Sequence, residues 1–152
     1  ELVALQAEDA RLLGALAFRN RQGWAHDSIL NWKRPDDAAT WNLDVLQPGR
    51  YKIVLMYSCP EADVGSKIQV EVGSWRVDAT VAHAHDPRPP QSQAMGDTGV
   101  ATSGPVWVKD WAALAFPPVL LRKGPAKLVV RATEIPGSQA FEFKEARIWR
   151  LE

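Results

Sequence analysis

One stretch constrains this chain more than any other: Asp37-Ala-Ala-Thr-Trp-Asn-Leu-Asp-Val-Leu-Gln-Pro-Gly-Arg-Tyr-Lys-Ile-Val-Leu-Met-Tyr57. Side chains along a strand switch faces at every residue, so Trp41, Leu43 and Val45 share one face. Tyr51, Ile53, Leu55 and Tyr57 share one face of the second run. Gln47-Pro48-Gly49-Arg50 between them is turn chemistry, because proline presets φ and glycine tolerates positive φ. The pattern predicts a hairpin with one face on a core. Loops at the ends of such antiparallel layers are where binding residues collect.

The rest of the chain repeats this strand-and-turn grammar. Leu2–Gln6 reads as a first strand, with Ala10–Ala15 as its continuation or partner. Phe18–Ser28 is an aperiodic loop, and Ile29–Trp32 is a short strand that stops before Arg34-Pro35. Lys67–Val72 and Trp75–Val81 form a second hairpin through Gly73-Ser74. Residues 82–105 hold most of the turn and breaker residues, and a loop of that length is either functional or poorly ordered. Val106–Phe116, Val119–Leu121, Lys127–Thr133 and Phe141–Leu151 resume strand character. The one helical candidate is a turn at Asp36–Ala39. Many short strands without an amphipathic helix predict an all-β fold, an antiparallel jelly-roll β-sandwich.

Composition narrows the partners. The chain has 152 residues and suits one module spanning residues 1–152. Eighteen basic residues balance 18 acidic ones, which argues against a nucleic-acid partner, since neutralising phosphates needs excess positive charge. No apolar run reaches the ~20 residues of a membrane-spanning helix. Cys59 is the only cysteine, so no disulfide forms within the chain. A start at Glu1 without a signal-like stretch reads as a piece cut from a longer, processed polypeptide. Seven Trp against two Tyr is a high indole share, and it directs attention to a working surface.

Ala7-Glu-Asp-Ala10, Ile29-Leu-Asn-Trp32, Pro35-Asp-Asp37, Trp41-x-Leu-x-Val45, Pro48-Gly-Arg-Tyr-Lys-Ile-Val-Leu55 and Gly65-Ser66 with Val70-x-Val72-Gly73 follow one another along the chain. Leu121-x-x-Gly124-x-x-x-Leu128-x-Val130 and Phe143-x-x-x-x-Ile148-x-x-Leu151 complete the series. This order resembles the β-sandwich domains appended to bacterial sulfatases and α-L-fucosidases. More distantly it is similar to family 6 and family 35 carbohydrate-binding modules. Residues 83–105 look like an insertion. The resemblance implies a non-catalytic module of a secreted carbohydrate-active enzyme, extracellular or periplasmic. Such a module holds the parent enzyme near a polysaccharide or oligosaccharide. It also implies a structural calcium, with Glu8 as one carboxylate and Glu145 (or Glu142) as the second. A sulfatase context points to sulfated glycans, with Arg19, Arg21 and Arg88 in loops that reach a sulfate.

Sugar recognition needs flat aromatic faces and a few fixed polar groups. Trp107, just after the long loop, matches the platform tryptophan of the related modules, with Trp111 as its core partner. The bland alternative puts both in the core. Trp24 in its polar loop is a second wall or a loop anchor. Ser138 and Gln139, before the last strand, supply polar help. Trp41 belongs to the core, and Trp32, Trp75 and Trp149 are structural, with Trp75 the most exposed.

Other constellations are weaker. His83-Ala-His85-Asp86 carries ligand types for zinc, but a proline-rich loop is a poor cage. Asp36-Asp37 looks like a helix cap rather than a glycosidase pair, because adjacent side chains diverge. Ser28 beside His26-Asp27 lacks triad geometry, and Cys59 reads as a small buried hydrophobe. No catalytic residue is expected. The alternative to sugar binding is a structural domain that packs against its parent sulfatase or glycosidase.

Overall fold

The computed structural model describes residues 2–20, 27–87 and 110–151. Its strands are β1 (Leu2–Gln6), β2 (Arg11–Leu13), β3 (Ala17–Phe18), β4 (Ile29–Leu30), β5 (Ala38–Val45) and β6 (Gly49–Ser58). They continue with β7 (Lys67–Val72), β8 (Trp75–Thr80), β9 (Ala112–Ala115), β10 (Val119–Leu121), β11 (Gly124–Glu134) and β12 (Glu142–Arg150). Two one-turn 3-10 helices, Ala7–Asp9 and Glu61–Asp63, are the helical content of the described residues. The fold is an all-β antiparallel jelly-roll sandwich.

In the first sheet β6 and β12 lie side by side, from Glu142 opposite Ser58 to Arg150 opposite Tyr51. Beyond β6 lie β9 and β10, and beyond β12 lie β1 and β4, with β3 outermost. The second sheet has the order β2-β5-β11-β7-β8. All pairings are antiparallel.

The stretch that opened the sequence reading divides between the sheets. β5 pairs β2 and β11, whereas β6 pairs β12, β9 and β10. The expected hairpin is therefore an arch: Leu46–Pro48 carries the chain across the core, and the two apolar faces look at each other. Alternation is satisfied equally by strands side by side and strands face to face, so period alone left this open. Residues 10–15 likewise change layer, since β1 pairs β12 and β2 pairs β5. The second hairpin forms as expected, with Val72 opposite Trp75 and Gly73 at φ 59° in the turn.

The face assignments hold in detail. Trp41, Val45, Ile53, Leu55 and Tyr57 are buried, as are Leu128, Val130 and Ala132 on β11, while Val129 and Arg131 turn outward and are half-covered. An aromatic cluster fills one end of the core. Trp32 meets Phe141 edge-on at 5.2 Å between ring centroids, and Phe143 lies 5.4 Å from Trp41. Such pairs contribute about 0.5–1.5 kcal/mol each beyond their area. Trp111 departs from expectation: it is half-buried at the edge of β9 rather than in the core. Asp37 also departs. It caps no helix, because β5 starts at Ala38; its buried carboxylate instead takes Arg34 Nη2 at 2.9 Å.

Candidate functional site

β6 ends at Ser58, β8 ends at Thr80, β11 ends at Glu134, and β12 starts at Glu142. The pairing registers put all four of these points at one end of the sandwich. Three loop bases meet there and are joined by hydrogen bonds.

The first base belongs to the segment 21–26. Arg19 N–H donates to Ser28 O at 2.9 Å. The buried Asp27 carboxylate accepts, through Oδ1, from Asn20 N, Asn20 Nδ2 and Ser28 N at 3.0, 3.2 and 2.8 Å. Three donors on one oxygen hold Asn20 and Ser28 together on either side of residues 21–26. Arg19 then grips Glu142 with both forks, Nε to Oε2 at 2.6 Å and Nη2 to Oε1 at 2.8 Å. Those bonds, with the carboxylate's charge, raise the Arg19 pKa above its usual range against the opposing effect of burial. Ser28 Oγ donates to the same Glu142 at 2.6 Å, and Lys144 Nζ donates to Asp27 O at 2.9 Å.

The second base belongs to the segment 88–109. Cys59 and His85 exchange both backbone hydrogen bonds at 2.8 Å, and Tyr57 OH donates to His83 O at 2.9 Å. Ser58 Oγ donates to His85 O at 2.9 Å. The His85 ring Nε2 sits 3.1 Å from Asp110 O, so the outgoing and returning chains are tied together. Since Ser58 lies opposite Glu142, the two necks are neighbours across the β6–β12 ladder.

The third base is the 135–141 loop. The Asp63 carboxylate, itself buried, accepts from Ser138 N and Ser138 Oγ, both at 2.8 Å. Gly137 is needed for this approach, because a Cβ there would stand 2.6 Å from Asp63 Oδ1. Ala140 N–H donates to Trp32 O at 2.9 Å.

Of the sequence-derived site residues, Ser138 and Gln139 are at this end, Ser138 exposed and Gln139 half-buried. The Ser138 hydroxyl proton is already spent on Asp63, so a ligand meets only its oxygen lone pairs. Trp24 and Trp107 lie outside the described residues, as do Arg21, His26 and Arg88; their flanking residues are the first two necks. Arg19 is committed to Glu142.

Of the implied calcium pair, Glu145 is engaged by N–H donors, and Glu8 has one carboxylate oxygen buried. Glu8 is in the first 3-10 turn and Glu145 is on β12. Glu145 already faces N–H donors, Gln6 Nε2 at 3.1 Å and Arg147 Nη2 at 3.2 Å. Calcium wants six to eight oxygen ligands, whereas an amide N–H and a guanidinium suit a bare carboxylate. Among the described residues no group of three or more His, Cys, Asp or Glu is arranged to hold a metal.

Among the described residues, neither Ser28 nor Cys59 is set up as a nucleophile. Ser28 Oγ is donated to a carboxylate rather than to a histidine. Burial is the chief cause that pushes the Cys59 thiol up to about 11, the opposite of what a nucleophile needs. Among the described residues the site is a set of hydrogen-bonded segment bases at one end of the sandwich.

No protein-family model and no curated protein sequence matches this chain. Solved structures do match its fold. A family 35 carbohydrate binding module from Clostridium thermocellum is 14% identical with a TM-score of 0.68, covering 99% of this chain and 98% of that one. CBM35 from Cellvibrio japonicus Abf62 is 12% identical with a TM-score of 0.62, covering 98% of this chain and 93% of that one. Podospora anserina GH26-CBM35 β-(1,4)-mannanase is 13% identical with a TM-score of 0.64; the match covers 97% of this chain but only 27% of the mannanase. At these identities the likeness is one of fold.

Proposed function

We propose that this chain is a non-catalytic carbohydrate-binding module that holds a parent enzyme near a polysaccharide. One observation carries the reading. The described residues that flank the segments holding Trp24 and Trp107 lie side by side, next to Ser138 and Gln139, at one end of a sandwich with the fold of family 35 modules. Loops on a rigid β-frame are the common seat of binding residues, and indoles suit the apolar face of a pyranose. Trp107 is the leading platform, Trp24 a second wall, and Gln139 the polar neighbour. The parent is a secreted glycoside hydrolase or sulfatase, and the location is extracellular or periplasmic. Sulfated glycans enter the proposal through the sequence resemblance alone.

Native affinity gels containing β-1,4-mannan, β-1,3-galactan, dextran or a sulfated galactan test this directly. Retardation in at least one gel, reduced about tenfold in apparent affinity by Trp107→Ala, is the expected result. Migration unchanged in every gel would sink the proposal. It would favour the packing role, for which exposed Val3, Leu46 and Leu151 around a cleft of about 700 Å³ offer an apolar surface.

A further inference from the structure

The described tryptophans separate by what their rings and N–H groups touch. Trp32 is 1% exposed and donates to Ile29 O at 3.0 Å; Trp41 is 4% exposed and donates to Gln6 O at 2.9 Å. Trp149 lies under the Lys52 ammonium, with Nζ 5.9 Å from its ring centre. Trp75 differs from all of these. It is 40% exposed, and its N–H has no hydrogen-bond partner among the described residues.

Trp75 opens β8, on the outer edge of the second sheet, directly after the Gly73-Ser74 turn. Val77 and Ala79, on its face of the strand, pack against the core, so the indole continues the inner face to the open end of the edge strand β8. Across the gap stand Leu120 and Arg122, at and just past β10 on the edge of the first sheet. Between them is a cleft of about 450 Å³ lined by Ser74, Trp75, Leu120, Arg122 and Pro125. Arg122 makes no hydrogen bond or ion pair among the described residues, whereas Arg76, next to Trp75, is held by Glu71 at 3.2 Å.

We infer that this cleft is a second carbohydrate subsite, which takes one pyranose ring of a polysaccharide chain. The inference rests on the carbohydrate-binding reading above. An uncovered indole offers a surface for ring C–H groups, and the indole N–H, Arg122 and Ser74 hydroxyl supply convergent groups for sugar hydroxyls. The volume falls within the range of small-ligand pockets. The subsite is at the opposite end from Ser138: β6 runs ten residues from the level of Leu121 to that of Glu142, roughly 30 Å at strand rise. The two ends therefore engage separate stretches of glycan, and long chains gain avidity that short ones lack.

NMR titration of the 152-residue chain with hexasaccharides of β-1,4-mannose, β-1,3-galactose and α-1,6-glucose tests the assignment. The Trp75 and Trp107 indole N–H signals are assigned from Trp→Phe variants. The expected result is that the Trp75 signal moves with a glycan, and still moves in Trp107→Ala. Arg122→Ala, an exposed change that leaves the core intact, weakens the Trp75 response about tenfold. A Trp107 signal that moves while Trp75 stays still would overturn the subsite and leave the carbohydrate module standing. Silence at both indoles would overturn both. A Trp75→Ala variant with altered self-association and unchanged glycan shifts would mark a protein contact, and would also overturn the subsite.

Discussion

Removing the Ser138 hydroxyl separates a structural role from a sugar-contacting one. Its Oγ donates to the buried Asp63 carboxylate at 2.8 Å, and its N–H donates to the same oxygen. Hydrogen bonds to charged groups contribute about 1.5–3 kcal/mol, and the exposure of Ser138 argues for the lower end. Ser138→Ala keeps the N–H bond and should cost about 1.5 kcal/mol. In a domain of this size that lowers Tm by about 3–6 °C. Asp63→Ala removes both bonds and should cost about 3 kcal/mol, or about 6–12 °C. Gly137→Ala reaches the same contact from the other side, since its Cβ would stand 2.7 Å from Asp63 Cα, and should match Asp63→Ala. Melting by circular dichroism reads the stabilities, and affinity gels read the glycan. Ser138→Ala should bind polysaccharide within twofold of wild type, while Asp63→Ala should bind more weakly because the Gln139 loop loses its anchor. A Ser138→Ala variant with an unchanged Tm and tenfold weaker binding would refute this assignment.

Three further outcomes follow from buried or paired groups. Cys59 keeps its proton in the fold up to about pH 11, while an unfolded thiol ionises near 9.0. The folded state thus holds more protons between those values, so stability falls as pH rises from about 9 to 11. Burial raises Tyr57 in the same direction. Urea midpoints at pH 8 and pH 10.5 should show that fall, and Cys59→Ala should shrink it; an equal fall in the variant would exonerate the thiol. Arg19→Ala breaks the forked pair with Glu142 and should cost about 1–2 kcal/mol, less than a fully buried pair because Arg19 is half exposed. A Tm loss below 1 °C would show that pair to be idle. Adding millimolar calcium or EDTA should shift Tm by less than about 1 °C. A calcium-dependent rise of several degrees would mean that Glu145 turns from its N–H donors toward a cation shared with Glu8.

Strand positions were largely legible in the sequence, because alternation along β5, β6, β7 and β11 reports which side chains face inward. The Gly73-Ser74 turn was legible too, since two such residues between strands leave little room but for a hairpin. The candidate site was legible only as residue types. Trp107 was marked by its match to a platform tryptophan just after the long loop and Trp24 by its polar loop, but Ser138 carried no sign that Asp63, 75 residues away, would claim its hydroxyl. Trp75 was marked as exposed, yet its cleft depends on Arg122 from the other sheet.

The sequence by itself determined that this chain alternates, turns often and cannot bury a helix face, which leaves a two-layer β fold. Tertiary structure alone decided which strands became neighbours. Side-chain alternation encodes the face a residue presents and says nothing of the partner strand. The arch at Leu46–Pro48 had to be settled by long-range pairing of β5 with β11 and of β6 with β12. That pairing sent the Trp75 cleft and the loop necks to opposite ends of the sandwich.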